Sequence, residues 1–217
     1  MIHKSELQGL RKEFARNKRI PKKYEYPILQ ALSHYPELRQ TCISFDLAKK
    51  AKVPYGCKPS LASLFRKQGN REYHITVLEE AEEPMQHALM KNLPIEEQIG
   101  AFAHELSHVV QYEQKTRGEL LRMVLLRFPV KQQRRGIERA ADIAVIHHGL
   151  GRALYRHAVF IREIPGYVEE RKNLNEDYLL PREIMLLMKK RNSLRYSSRK
   201  KAVRKKSRPE NHHPQNK

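Results

Sequence analysis

The chain has only two cysteines, Cys42 and Cys57, too few for a disulfide framework, and they are expected as reduced thiols. It has no run near the roughly 18–20 apolar residues that a membrane-spanning helix requires. Its first 23 residues carry charge without an apolar stretch, which predicts no secretory leader and a cytoplasmic setting. There is no Gly-rich phosphate loop and no G-x-S-x-G turn, so phosphoryl transfer and serine hydrolysis have no support. No internal repeat is present.

What remains is 217 residues, 40% hydrophobic and 31% charged, enough for one soluble domain with tails. The net charge of +19 is unevenly spread. Residues 189–217 hold 12 Lys/Arg and one acid, and residues 1–23 hold 8 Lys/Arg and 2 acids. Between 24 and 188 the balance is 23 basic against 21 acidic residues, close to neutral. The chain therefore divides into a basic segment (1–23), a domain (24–191) and a basic tail (192–217) too poor in apolar residues to fold alone. Basic ends of this kind can hold polyanions by counterion release, which keeps nucleic acid open as a partner.

Periodicity predicts the elements. Ile28, Leu29, Leu32 and Leu38 recur at loose helical spacing, and Ile43, Phe45 and Leu47 alternate as in a strand. Residues 59–80 read as a hairpin: an apolar run, a KQGN turn, then alternating Tyr73, Ile75 and Val77. After Pro94, Ile95, Ile99, Phe102, Leu106, Val109 and Val110 mark an amphipathic helix, with Glu96 and Glu97 at its positive end. Helices are also predicted over 119–128, from near Gly136 to Gly149, over 152–164, and from Pro181. The expected architecture is α+β: an N-terminal helix, a short three-stranded antiparallel sheet, then the helices carrying the site.

The chemistry concentrates in HELSH, residues 104–108. On a helix, His104 and His108 lie one turn apart on the same face and can meet one ion, with zinc as the expected cofactor at one per chain. Glu105 lies about 100° round, poorly placed to ligate and well placed to take a proton from a water. A catalytic zinc needs a third protein ligand. GIERAAD offers Glu138 as that ligand, with Asp142 four residues on, placed to accept the other ring N–H of a ligand histidine. His147 and His148 are adjacent and diverge on a helix, and His212 and His213 sit in the tail with nothing to present them.

HELSH followed by ERAAD resembles the gluzincin zinc metallopeptidases, most closely the ExxxD branch with the HtpX-type and CAAX prenyl proteases, and the minimal soluble gluzincins. The likeness covers roughly residues 70–150. It implies a small zincin-like domain with an active-site helix and a glutamate helix. It further implies His104, His108 and Glu138 as ligands, Glu105 as base, Asp142 behind a ligand, and a peptide or protein substrate. It also implies residues 71–77 as the edge strand on which an extended substrate pairs. Such enzymes place a donor on the oxyanion; Tyr155 is the first candidate, with Tyr178 and His157 as alternatives. The absence of membrane spans departs from the membrane members, so their substrates do not carry over.

Other readings stay open. A DNA-associated or regulatory metalloprotease, SprT-like or ImmA-like, suits the basic ends, although SprT-like sites use histidine as third ligand. A nucleic-acid-binding protein with a structural metal is a third reading. Glu79, Glu80, Glu82 and Glu83 form an acidic stretch that the basic tail can be expected to meet, closing the cleft.

Overall fold

In the computed structural model, which describes residues 4–126 and 130–206, the protein is α+β, with a small mixed sheet covered on one face by a central helix. The chain runs α1 (Lys4–Phe14), β1 (Lys18–Arg19), α2 (Glu25–Leu32), β2 (Cys42–Ala48), β3 (Tyr55–Pro59) and β4 (Glu72–Leu78). Then follow α3 (Ile95–Glu113), α4 (Arg117–Leu126), α5 (Lys131–His147), α6 (Gly151–Glu163), α7 (Tyr167–Glu170), α8 (Leu174–Asp177) and α9 (Pro181–Lys206).

The sheet corrects the expected antiparallel arrangement. Its order is β1-β2-β4-β3; β2 runs parallel to both β1 and β4, and only β3 is antiparallel to its neighbour. The hairpin partner of β4 is Tyr55–Pro59 rather than the apolar run after it. In that run Ser60 accepts a hydrogen bond from the Ser63 N–H and starts a short 3-10 helix over Leu61–Phe65, a stretch without β-branched residues. β4 is consequently an interior strand, and the edge is β3.

The basic N-terminal residues are built into the domain from residue 4 onward. Phe14 ends α1 buried, and the Lys18 ammonium lies within 2.7–3.3 Å of the carbonyls of Arg16, Leu38, Arg39 and Thr41. At the other end α9 continues as helix to Lys206, past Asn192 where the sequence predicts order to stop, and residues 207–217 lie outside the described residues. The helix expected over 119–128 is α4, and its last two expected residues lie outside the described ones. α5 begins at Lys131, five residues before Gly136, and ends before Gly149, whose φ of +91° breaks the helix.

α3 is buried on nearly every side, as a helix at the centre of a core must be. Its large residues meet the sheet and α2: the Phe102 ring lies 5.8 Å from Phe45 and 6.0 Å from Tyr24. Its small residues meet α6. A Cβ on Gly100 would lie 2.4 Å from the Ala153 carbonyl oxygen, so only glycine permits the backbones to approach this closely. The fully buried Arg71 donates to the Tyr112 carbonyl at 2.7 Å, satisfying one of the last carbonyls of α3. Gly100→Ala gains helix propensity but forces α3 and α6 apart. It is expected to destabilise the protein by about 1–3 kcal/mol in urea unfolding, where the same change on an exposed helix stabilises.

Candidate metal centre

Two helices build the centre. α3 brings His104, Glu105 and His108, and α5 brings Glu138 and Asp142; all five are at least nine-tenths buried. Ionisable groups buried this deeply require partners, and His104, His108, Glu138 and Asp142 supply one another. Glu138 Oε2 lies 3.1 Å from His104 Nε2 and 3.1 Å from His108 Nε2. The rings of His104 and His108 are 4.8 Å apart and almost perpendicular. His104, His108 and Glu138 could therefore hold a metal ion. Ligands placed tetrahedrally at about 2.0–2.1 Å from an ion stand about 3.3 Å from one another, close to the 3.1 Å that separates Glu138 Oε2 from each histidine Nε2.

The groups behind the ligands are equally ordered. Asp142 Oδ1 lies 2.8 Å from His104 Nδ1, and Asp142 Oδ2 accepts the Leu179 N–H at 2.8 Å. His108 Nδ1 lies 3.2 Å from Gln111 Oε1, and Gln111 donates to the Ile137 carbonyl at 3.1 Å. Both histidines thus have Nδ1 engaged and Nε2 directed at Glu138, the tautomer arrangement that suits ligation. Burial pulls the His104 imidazole down, but its hydrogen bonds to Asp142 and Glu138 outweigh this and hold it well above its ordinary value.

Glu105 stands apart from this network. It is buried, and its Oε2 has no hydrogen-bond partner. It opens with His104, Glu138 and Asp142 onto a cavity of about 520 Å³. The opposite wall comes from β3 (Tyr55, Gly56, Cys57), from α6 (Leu154, His157, Ala158, Ile161) and from residues 167–179. A buried carboxylate oxygen left without a partner costs on the order of 1–3 kcal/mol, and Glu105 carries that cost at the wall of the cavity.

Tyr155, the first candidate for the oxyanion donor, packs against the hydrophobic core and does not line the cavity. His157 and Tyr178 do line it. His157 Nε2 is 2.8 Å from the Tyr55 hydroxyl, while its Nδ1 is buried with no partner. Burial first, then the charges of His104 and Arg162, push His157 down to about 3, so its ring is neutral at neutral pH. The Tyr178 ring is 5.4 Å from that of His104. Tyr55, Gln111 and the Leu179 N–H were not anticipated. Gln111 had a readable signal in its three-residue spacing from His108, whereas Tyr55 and Leu179 arrive by tertiary folding alone.

The remaining expectations fall elsewhere. The edge strand beside the cavity is β3 rather than residues 71–77. His148 stacks on Tyr35 at 4.0 Å and pairs with Glu37, away from the centre, and His212 and His213 lie outside the described residues. None of Glu79, Glu80, Glu82 or Glu83 lines the cavity, and Glu79 is held by Lys23 and Tyr24. Cys57 is buried and Cys42 exposed, and neither forms a disulfide among the described residues. Among the described residues no helix is long and apolar enough to cross a membrane.

No protein-family model, curated protein or solved structure matches the chain.

With divalent metal supplied at purification, elemental analysis is expected to find one ion per chain, lost in His104→Ala and in Glu138→Ala. Asp142→Asn is expected to keep the three ligands but weaken metal affinity about 10–100-fold in chelator competition.

Proposed function

We propose that the protein is a zinc-dependent metallopeptidase of zincin-like plan, with His104, His108 and Glu138 as ligands and Glu105 as general base. The observation that carries this reading is Glu105, a buried carboxylate with an unpartnered oxygen, lining a cavity of about 520 Å³ together with His104 and Glu138 of the three converging ligand residues. A structural zinc site is closed by four protein ligands and needs no free carboxylate next to it.

A zinc ion there supplies Lewis acidity, acidifying water and polarising a carbonyl. Glu105 takes the proton of the attacking water and returns it to the leaving amine, the double duty of a carboxylate held near the reacting atoms. Asp142 fixes the His104 ring in the tautomer that leaves Nε2 as the donor atom. For the oxyanion we assign His157, which lines the cavity: with the Tyr55 hydroxyl donating to Nε2, the ring proton sits on Nδ1. Burial and the nearby Tyr167 and Glu105 charges raise Tyr55 well above its ordinary value, keeping its hydroxyl protonated for this role.

The substrate is an extended peptide. β3 is a sheet edge with Tyr55, Gly56 and Cys57 on the cavity, so a peptide can add to it as a further strand while its scissile carbonyl lies over the site.

The test is cleavage of a denatured-protein peptide library by the zinc-loaded chain, read by mass spectrometry. Glu105→Gln is expected to lower kcat/KM about 10²–10⁴-fold with zinc retained. Unchanged cleavage in that variant removes the reading. His157→Ala is expected to lower kcat about 10²–10³-fold with little change in KM, whereas Tyr155→Phe leaves both in place.

A further inference from the structure

α9 begins at the metal centre and leaves it. The Leu179 N–H is held by Asp142, the Leu180 N–H by Glu183, and Glu183 pairs with Arg139 of α5 at 2.6 Å. Ile184 is fully buried, and a Cβ on Gly151 would meet Met188 Cγ at 2.8 Å, so this part of α9 is seated closely against α6. Arg191 donates to the His147 carbonyl at 3.0 Å, and Asn192, Ser193 and Leu194 after it are exposed. The backbone nevertheless continues as helix to Lys206.

From 189 to 206 the helix carries ten Lys/Arg and no acid. Cations stand four apart at 191/195, 195/199, 200/204 and 201/205, a spacing at which like charges repel along a helix. Only the last turn, with Arg204, Lys205 and Lys206, gains from the backbone dipole at the helix C-terminus. No acidic residue of the segment offsets the rest. Eighteen helical residues span about 27 Å, so the charge is dense and continuous. The natural complement is a polyanion of comparable density, and duplex nucleic acid carries one phosphate charge per about 1.7 Å of axis. A membrane surface suits the segment less well. Its apolar residues between 195 and 206 are Tyr196, Ala202 and Val203, too few for the apolar face that an interfacial helix buries. A folded acidic protein presents carboxylates in patches rather than in an unbroken line.

We infer that α9 beyond Lys189 binds the phosphodiester backbone of nucleic acid without regard to sequence, tethering the domain through the anchored half of the same helix. The inference stands independently of the peptidase reading, since it uses no residue of the metal centre.

The test uses the full chain and fluorescence anisotropy with a labelled 25-base-pair DNA duplex and an RNA of equal length, between 50 and 200 mM NaCl. Contact with about five phosphates predicts that affinity falls about 500-fold over that range, equally for unrelated sequences. Replacing Arg195, Arg199, Lys200, Lys201, Arg204 and Lys205 with Gln is expected to weaken binding about 100-fold or more at 50 mM. Gln is a good helix former, and far-UV circular dichroism with a thermal melt verifies that the variant keeps the fold. In the unaltered chain, helicity is expected to rise on binding, as phosphates relieve the repulsion between cations. Equal binding by the Gln variant overturns the inference. So does tighter binding of polyglutamate or of phosphatidylserine vesicles than of either nucleic acid at the same salt.

Discussion

The Asp142 carboxylate is the joint on which the rest of the centre depends. One oxygen holds the His104 ring of α3, and the other holds the backbone of Leu179, from which α9 departs. A carboxylate at 2% exposure is tolerable only when its oxygens are engaged, so three separate stretches of chain are drawn to one point by the cost of leaving it unpaired. Glu138, one turn earlier on α5, is thereby set between the two histidines. Few alternative packings of α3 on α5 would bury His104, His108, Glu138 and Asp142 with a partner for each. The polar network thus selects the arrangement more than it stabilises it.

The close approach at Gly100 works with that joint. His104 lies one turn beyond Gly100 on α3, and His157 lies one turn beyond Ala153 on α6. With the backbones this near, both side chains reach one cavity from different helices. Arg152 and Arg156 reach Glu96 and Glu97 at the positive end of α3, reinforcing the crossing from the surface. A glycine, a few surface charges and a buried carboxylate thus position a ring that comes from 53 residues away in sequence.

Much of this was legible because it is local. Helical spacing alone put His104 and His108 on one face and paired Glu138 with Asp142, and Pro94 and Gly149 marked boundaries the structure keeps. The sheet was less legible, because pairing order is a long-range property. Parallel pairing of β2 with β4 requires β3 to fold to the outside, and nothing in the spacing of Tyr55–Pro59 announces it. Tyr155 stands first among the donors the sequence offers, yet it and His157 are two positions apart on a helix and differ by about 200°, which decides between core and cavity. The basic ends were read as tails because charge argues against burial. α1 escapes that rule by burying Phe14, and α9 by growing outward from a helix already anchored.

β3 is also a hazard that the sequence contains. An exposed strand edge is a template for pairing with another copy of the same chain, and folded proteins limit such edges by length and by residues that cannot donate. Here the strand is five residues long, about 17 Å of ladder, and it stops at Pro59, which has no N–H to offer. The next residues turn at once into a 3-10 helix, so the edge cannot extend. A sheet-to-sheet stack, which needs long flat edges, finds no purchase, while a short stretch of unstructured chain still fits. Resistance to self-association is therefore set by the same five-residue strand that walls the cavity.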